Sequence, residues 1–185
     1  MGNSILTPRG TTEKVRQETW RDCVLAQYSI MVSEQRSFVV CVPTRLTAED
    51  RCSCVFFAHG VGGTAWHGAH ESEWLPLAAK ENLILVFIQS KGLFYSEMRK
   101  NSSGKDVWAA SSWDYIYSAN DLQYVEAVYD AVIKQLFAGV VDAGRVFFCG
   151  FDSGGLFAWS VACTFGGNKF SAVFMHNGGI DEHYL

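Results

Sequence analysis

The stretch Arg145-Val146-Phe147-Phe148-Cys149-Gly150-Phe151-Asp152-Ser153-Gly154-Gly155 decides the fold. Its first five residues read as a strand, apolar from Val146 to Cys149. A helical stretch, Leu156 to Thr164, follows the last glycine. Between strand and helix lies Gly-x-Asp-x-Gly. A strand that bends at once into a helix throws one side chain out at the tip. Such a turn needs small residues two before and two after that side chain. Gly150 and Gly154 meet both demands around Asp152. Centring the turn on Ser153 would put Phe151 where no bulk fits, so Asp152 is the expected tip. Ser153, the more familiar nucleophile, stays open as the alternative one. The competing reading is a glycine-rich turn without chemistry.

Upstream, Cys54-Val55-Phe56-Phe57-Ala58 is a second such strand, and His59-Gly60-Val61-Gly62-Gly63 follows it directly. Glycines there let backbone N–H groups approach a developing oxyanion. The two loops make a pair: Val61 or Gly62 supplies one N–H and Ser153, the residue after the tip, supplies the other. Alternatively, the loop is a tight turn and His59 a structural residue.

Further strands are expected at Tyr28–Val32 and Phe38–Val42, a hairpin around Ser33-Glu34-Gln35-Arg36, and at Leu83–Ile88 and Ala172–Met175. Glu73–Ala79 reads as a helix. Leu122, Val125, Val128, Tyr129, Val132, Ile133 and Leu136 recur at helical spacing, with Ser118 and Asp121 resembling a cap and Gly139 just past the end. Alternating strands and helices predict an α/β domain. Residues 1–26 are polar and mixed and read as a lead-in; residues 27–185 form the domain.

A chain of 185 residues suits one domain, and 49% hydrophobic against 18% charged residues marks globular material. The net charge is −4 with scattered basic residues, so nucleic acid is not an expected partner. No apolar stretch is long enough to span a bilayer. The N-terminus lacks a hydrophobic signal region, and Leu6 stands where an acylation signal wants Ser or Thr. Six cysteines without a secretion signal point to reduced thiols and a cytoplasmic setting. His67, His70, Glu71 and Glu73 have spacing that a metal site uses, but nothing downstream completes one; neither a metal nor a cofactor is expected.

Several motifs together resemble one known group. Phe57-Ala58-His59-Gly60-Val61-Gly62-Gly63-Thr64-Ala65 is similar to the His-Gly-x-Gly-Gly-Thr-Ala stretch of polyhydroxybutyrate depolymerase-like and feruloyl-esterase-like α/β hydrolases. Trp74-Leu75-Pro76-Leu77-Ala78, Asn120-Asp121-Leu122, the Asp142-to-Gly150 lead into the turn, and Phe170-Ser171-Ala172-Val173 resemble that group in the same order. The resemblance runs from about Tyr28 to Gly179. It implies an α/β-hydrolase fold: a mostly parallel sheet, its six strands ordered 1-2-4-3-5-6, with helices on both faces and the last strands missing. It also implies descent from carboxylic-ester hydrolases acting on small esters or polyesters.

Two departures bear on the chemistry. The group carries Ser at the tip, where this chain has Asp152. Its acidic residue and His follow later strands, and neither Asp181 nor His183 lies far enough on to replace them. A carboxylate attacking an ester forms a mixed anhydride, an uphill product; carboxylates suit attack at saturated carbon, as in epoxide hydrolases and haloalkane dehalogenases. His176, just after the last strand, is the remaining candidate base; a polar residue at a strand exit is the plainer reading. The expectations are therefore an ester hydrolase with Asp152 at the nucleophile position, an Asp-nucleophile hydrolase, or an inactive homologue serving binding or self-association through an open sheet edge. Trp66, Trp108 and Trp113 either line an aryl pocket or pack.

Overall fold

A computed structural model describes residues 12–91, 98–100, 106–108, 113 and 119–178. Seven strands form one sheet: β1 (Thr12–Trp20), β2 (Cys23–Met31), β3 (Gln35–Pro43), β4 (Cys52–Ala58), β5 (Ile84–Ile88), then β8 (Val141–Phe151) and β9 (Ala172–His176). Their spatial order is β1-β2-β3-β5-β4-β8-β9. A separate short pair joins β6 (Met98–Lys100) to β7 (Asp106–Trp108). The helices are α1 (Ala65–Glu71), α2 (Trp74–Glu81), α3 (Ala119–Tyr129) and α4 (Ser153–Phe165). A π-helical segment, Asp130–Leu136, continues α3. Ser118 lies outside the described residues.

The apolar runs behave as their composition requires. All five residues of β5 are buried, as are six of the seven in β4. Both strands are covered on two faces. On one face β4 and β5 pack with α3, the π-helical segment and α4, through Phe56, Val86, Val128, Tyr129, Phe157 and Val161. On the other, Phe57, Phe87 and Cys41 pack with Ala69, Leu75 and Ala78 of α1 and α2. Helices on both faces, an expectation of the sequence, are present.

Three expectations need correction. Residues 1–26 were expected as a lead-in, yet residues 12–20 form β1 and residues 23–31 form β2. The order 1-2-4-3-5-6 describes β2-β3-β5-β4-β8-β9, and β1 adds a strand at its edge. The sheet is mixed instead of mostly parallel: β1–β2, β2–β3 and β3–β5 pair antiparallel, whereas β5–β4, β4–β8 and β8–β9 pair parallel. The reason for the first error is that β1 is a largely exposed strand, held by its backbone ladder to β2. Such a strand carries no apolar alternation to read. No helix among the described residues is long and apolar enough to cross a membrane.

Parallel pairing of β4 with β8 puts their C-terminal ends side by side, Ala58 opposite Gly150. The His59 loop and the Asp152 turn therefore leave the sheet as neighbours. Ligand sites in open α/β sheets form outside such strand ends.

Candidate functional site

Asp152 stands between β8 and α4 with φ 54° and ψ −120°. This is a conformation that L-residues adopt at a cost of about 1–3 kcal/mol when the surroundings force it. Here the surroundings do. A Cβ on Gly150 would overlap the Gly154 carbonyl, and one on Gly154 would overlap the Ala58 carbonyl and lie 2.6 Å from that of His59. The Asp152 N–H donates to the His176 carbonyl at 2.9 Å, tying the turn to the end of β9. Its own carbonyl accepts from Gly155 N–H at 2.8 Å and Leu156 N–H at 3.1 Å, which starts α4. The steric reading of the sequence thus describes the turn found here.

The loop after β4 comes up against the tip. Val61 N–H donates to Asp152 Oδ2 at 2.9 Å. Gly60 makes the approach feasible, since a Cβ there would sit 3.1 Å from both Cβ and Oδ2 of Asp152. Gly62 has φ 73°, and Gly63 N–H closes a turn onto the Gly60 carbonyl at 3.1 Å. Thr64 then caps α1 by accepting from His67 N–H at 3.0 Å.

His59 holds this loop from below. It is buried, its ring 5.1 Å from that of Trp113. Nδ1 lies 2.8 Å from the Gly60 carbonyl, and Nε2 accepts from Ser90 N–H at 3.2 Å. A carbonyl can only accept, so Nδ1 carries the proton and Nε2 is bare. That is the neutral tautomer. Burial pushes the imidazole below its ordinary range, in agreement. The backbone carbonyl of His59 accepts from Trp113 Nε1 at 2.7 Å. His59 is thus committed to shape, as the structural reading allowed.

A second polar layer reaches the loop through Gln89, which sequence reasoning missed. Gln89 Oε1 accepts from Ala65 N–H at 2.9 Å, and its carbonyl accepts from the Arg36 guanidinium at 2.7 Å. Arg36 pairs with Asp121 at 2.7 Å, both buried, and lies over the Tyr124 ring at 3.9 Å. Tyr124 hydroxyl donates to the Ser37 carbonyl at 2.6 Å. Asp121 carried a signal in the resemblance; Arg36, within a polar turn, carried none.

The remaining candidates are placed as follows. Ser153 is buried at the start of α4, and its hydroxyl has no hydrogen-bond partner among the described residues. His176 is exposed at the end of β9, its ring packed edge-on against Phe151 at 5.3 Å. No ion pair joins it to Asp152 among the described residues. His70 pairs with Glu18 at 2.9 Å and stacks on Trp66. Trp113 packs in the core on Phe157, and Trp66 donates to Gln27 on β2 at 2.9 Å; the Trp108 side chain lies outside the described residues. Among the described residues no cluster of three His, Cys, Asp or Glu side chains could hold a metal ion.

A cavity of about 450 Å³ opens beside the turn. It shares Gly60, Val61, Phe151 and His176 with the surroundings of Asp152 and runs along α1 to Trp74. Its volume lies within the range of small-molecule sites. Cys149 in its wall is a buried thiol whose pKa burial raises, which makes it a poor nucleophile.

No protein-family model matches the chain. Solved structures do. An S-formylglutathione hydrolase from Agrobacterium tumefaciens is similar over 86% of this chain and 60% of its own, at 14% identity and a TM-score of 0.60. The fluorophosphonate-binding serine hydrolase FphF of Staphylococcus aureus is similar over 88% and 60%, at 14% identity and a TM-score of 0.62. An acetyl xylan esterase from Aspergillus awamori is similar over 89% and 50%, at 19% identity and a TM-score of 0.57. This chain therefore spans 50–60% of the length of these three structures. The likenesses show the fold alone: the chain has the α/β-hydrolase fold that these esterases and hydrolases share.

Proposed function

We propose that this α/β-hydrolase chain carries a carboxylic-ester hydrolase site acting on small esters, with Asp152 at the nucleophile position. The N–H groups of Val61 and Ser153 are its oxyanion donors. One observation carries the reading: the strained tip side chain and the glycine-loop N–H already meet, at 2.9 Å between Val61 N and Asp152 Oδ2. A plain strand-to-helix turn has no need of this meeting.

The chemistry follows from the carboxylate. Its attack on an ester carbonyl would yield a mixed anhydride, which is uphill. As a general base it does better. A substrate carbonyl oxygen takes the Val61 N–H in place of Oδ2, and the released carboxylate draws a proton from water as that water adds to the carbonyl. The proton then passes to the departing alkoxide, so ester and water give acid and alcohol. General-base assistance of this kind supplies roughly 10²–10⁴-fold. Hydrolysis of p-nitrophenyl acetate by wild type and Asp152→Ala measures it, the variant being slower by about 100-fold. Styrene oxide, assayed alongside, tests attack at saturated carbon.

A second reading has its own observation. The His176 ring packs on Phe151, so the carboxylate has no imidazole to relay protons among the described residues. On that reading the site binds carbonyl ligands without turnover. Equal rates for the two proteins on both substrates would select it.

A further inference from the structure

The cavity beside the turn has a definite chemical character. Phe57, Trp74 and Phe151 contribute aromatic surface, and Glu71 contributes a carboxylate. His67 and His176 are the other titratable side chains of the wall apart from His59, whose nitrogens are engaged in the loop, and the buried thiol of Cys149. Among the described residues no Lys or Arg lines it. The Glu71 carboxylate has no ion-pair partner among the described residues.

We infer that this cavity binds an alkylated ammonium group, so that the preferred substrates are esters whose alcohol or acyl part carries that cation. The inference rests on the ester-hydrolase reading of the Asp152 site and names the kind of ester it takes. The argument is charge complementarity. Aromatic faces present negative potential and attract a cation whose alkyl groups also gain from apolar contact. A carboxylate at the same wall adds to that attraction, and it repels an anionic ligand. A neutral ligand of the same shape keeps the apolar contact and loses the rest. The cavity meets the catalytic turn at Val61 and Phe151, so a ligand seated there has its carbonyl near the Val61 N–H.

Titration calorimetry at pH 8 tests it with choline and its uncharged isostere 3,3-dimethylbutan-1-ol on the 185-residue chain. Choline should bind at least threefold more tightly. A smaller preference, or no measurable choline binding, overturns the inference, and neither comparison needs a variant. Glu71→Gln, at an exposed position, should reduce the preference, and Trp74→Ala should weaken choline about tenfold. A preference unchanged in Glu71→Gln overturns the part assigned to its carboxylate. Losing the choline preference while Asp152-dependent ester turnover stands removes this inference alone. The opposite pair of results removes the catalytic reading and keeps the cation site.

Discussion

Two loops meet at the candidate site, and different forces hold them. The His59 loop is fixed by polar bonds: both ring nitrogens of His59 are engaged, its carbonyl accepts from Trp113, and Gln89 secures the start of α1. The Asp152 turn is fixed by shape, with glycines at the points where backbone meets backbone. It tolerates strain at Asp152 and a hydroxyl without a partner at Ser153. The difference teaches that the direction of the Val61 N–H is set independently of the tip side chain. A lineage could exchange Ser for Asp there while the opposing donor stays in position.

The comparison breaks most sharply at Gly150. Gly150→Ala drives a methyl into the Gly154 carbonyl, and neither backbone segment can yield without moving β8 or α4. A loss of about 3 kcal/mol or more in urea denaturation is expected. Gly62→Ala in the other loop should cost only about 1–2 kcal/mol, because its φ of 73° is the sole obstacle and the space around it is empty. Similar losses for the two variants would mean that shape does not distinguish the loops.

His59 tests the polar side. Its buried ring is neutral in the folded protein, and its pKa lies below the unfolded value of 6.5. The unfolded chain therefore takes up a proton first as pH falls. Stability from this group is present above the unfolded pKa and is lost as pH drops below it toward the folded pKa. The slope is at most about 1.4 kcal/mol per pH unit. His59→Gln should be less stable at pH 8 by about 1–3 kcal/mol and should lack that acid-side decline. Denaturation midpoints from pH 8 to pH 5 that run parallel for the two proteins would refute it.

The smallest effect belongs to the tip. Asp152→Ala and Asp152→Gly both lose the bond from Val61, but only glycine relaxes at φ 54°. The glycine variant should therefore be the more stable of the two by about 1 kcal/mol. An alanine variant of equal stability would show that the turn is not strained.

Much of this was legible because it depends on glycine placement and on runs apolar at every position. Gly150, Gly154, and the strands at 54–58 and 83–88 all announce themselves that way. Other parts follow from contacts that no local pattern encodes. β1 is an exposed edge whose support is a backbone ladder, so its side chains need not alternate. The Arg36–Asp121 pair joins residues 85 positions apart, and a lone arginine in a polar turn gives no sign of burial. The cavity wall draws on Phe57, Trp74 and Phe151 from three separate elements; of the tryptophans that stood out in the sequence, Trp66 bonds to Gln27 and Trp113 packs in the core. His176 illustrates the limit of placement by position. It reaches the strand end as expected, yet its ring turns to Phe151.

Gly155, in the first turn of α4, and Gly178, just beyond β9, touch backbone to backbone. A Cβ on the former would lie 3.0 Å from the Gly178 Cα, and one on the latter 2.7 Å from the Gly155 carbonyl carbon. The two positions consequently constitute a single mutational unit. Neither can acquire a side chain first, because the intermediate would pry β9 from the helix and, through the His176 carbonyl, unseat Asp152 as well. Divergent descendants should be found to keep both or to have rebuilt the crossing entirely.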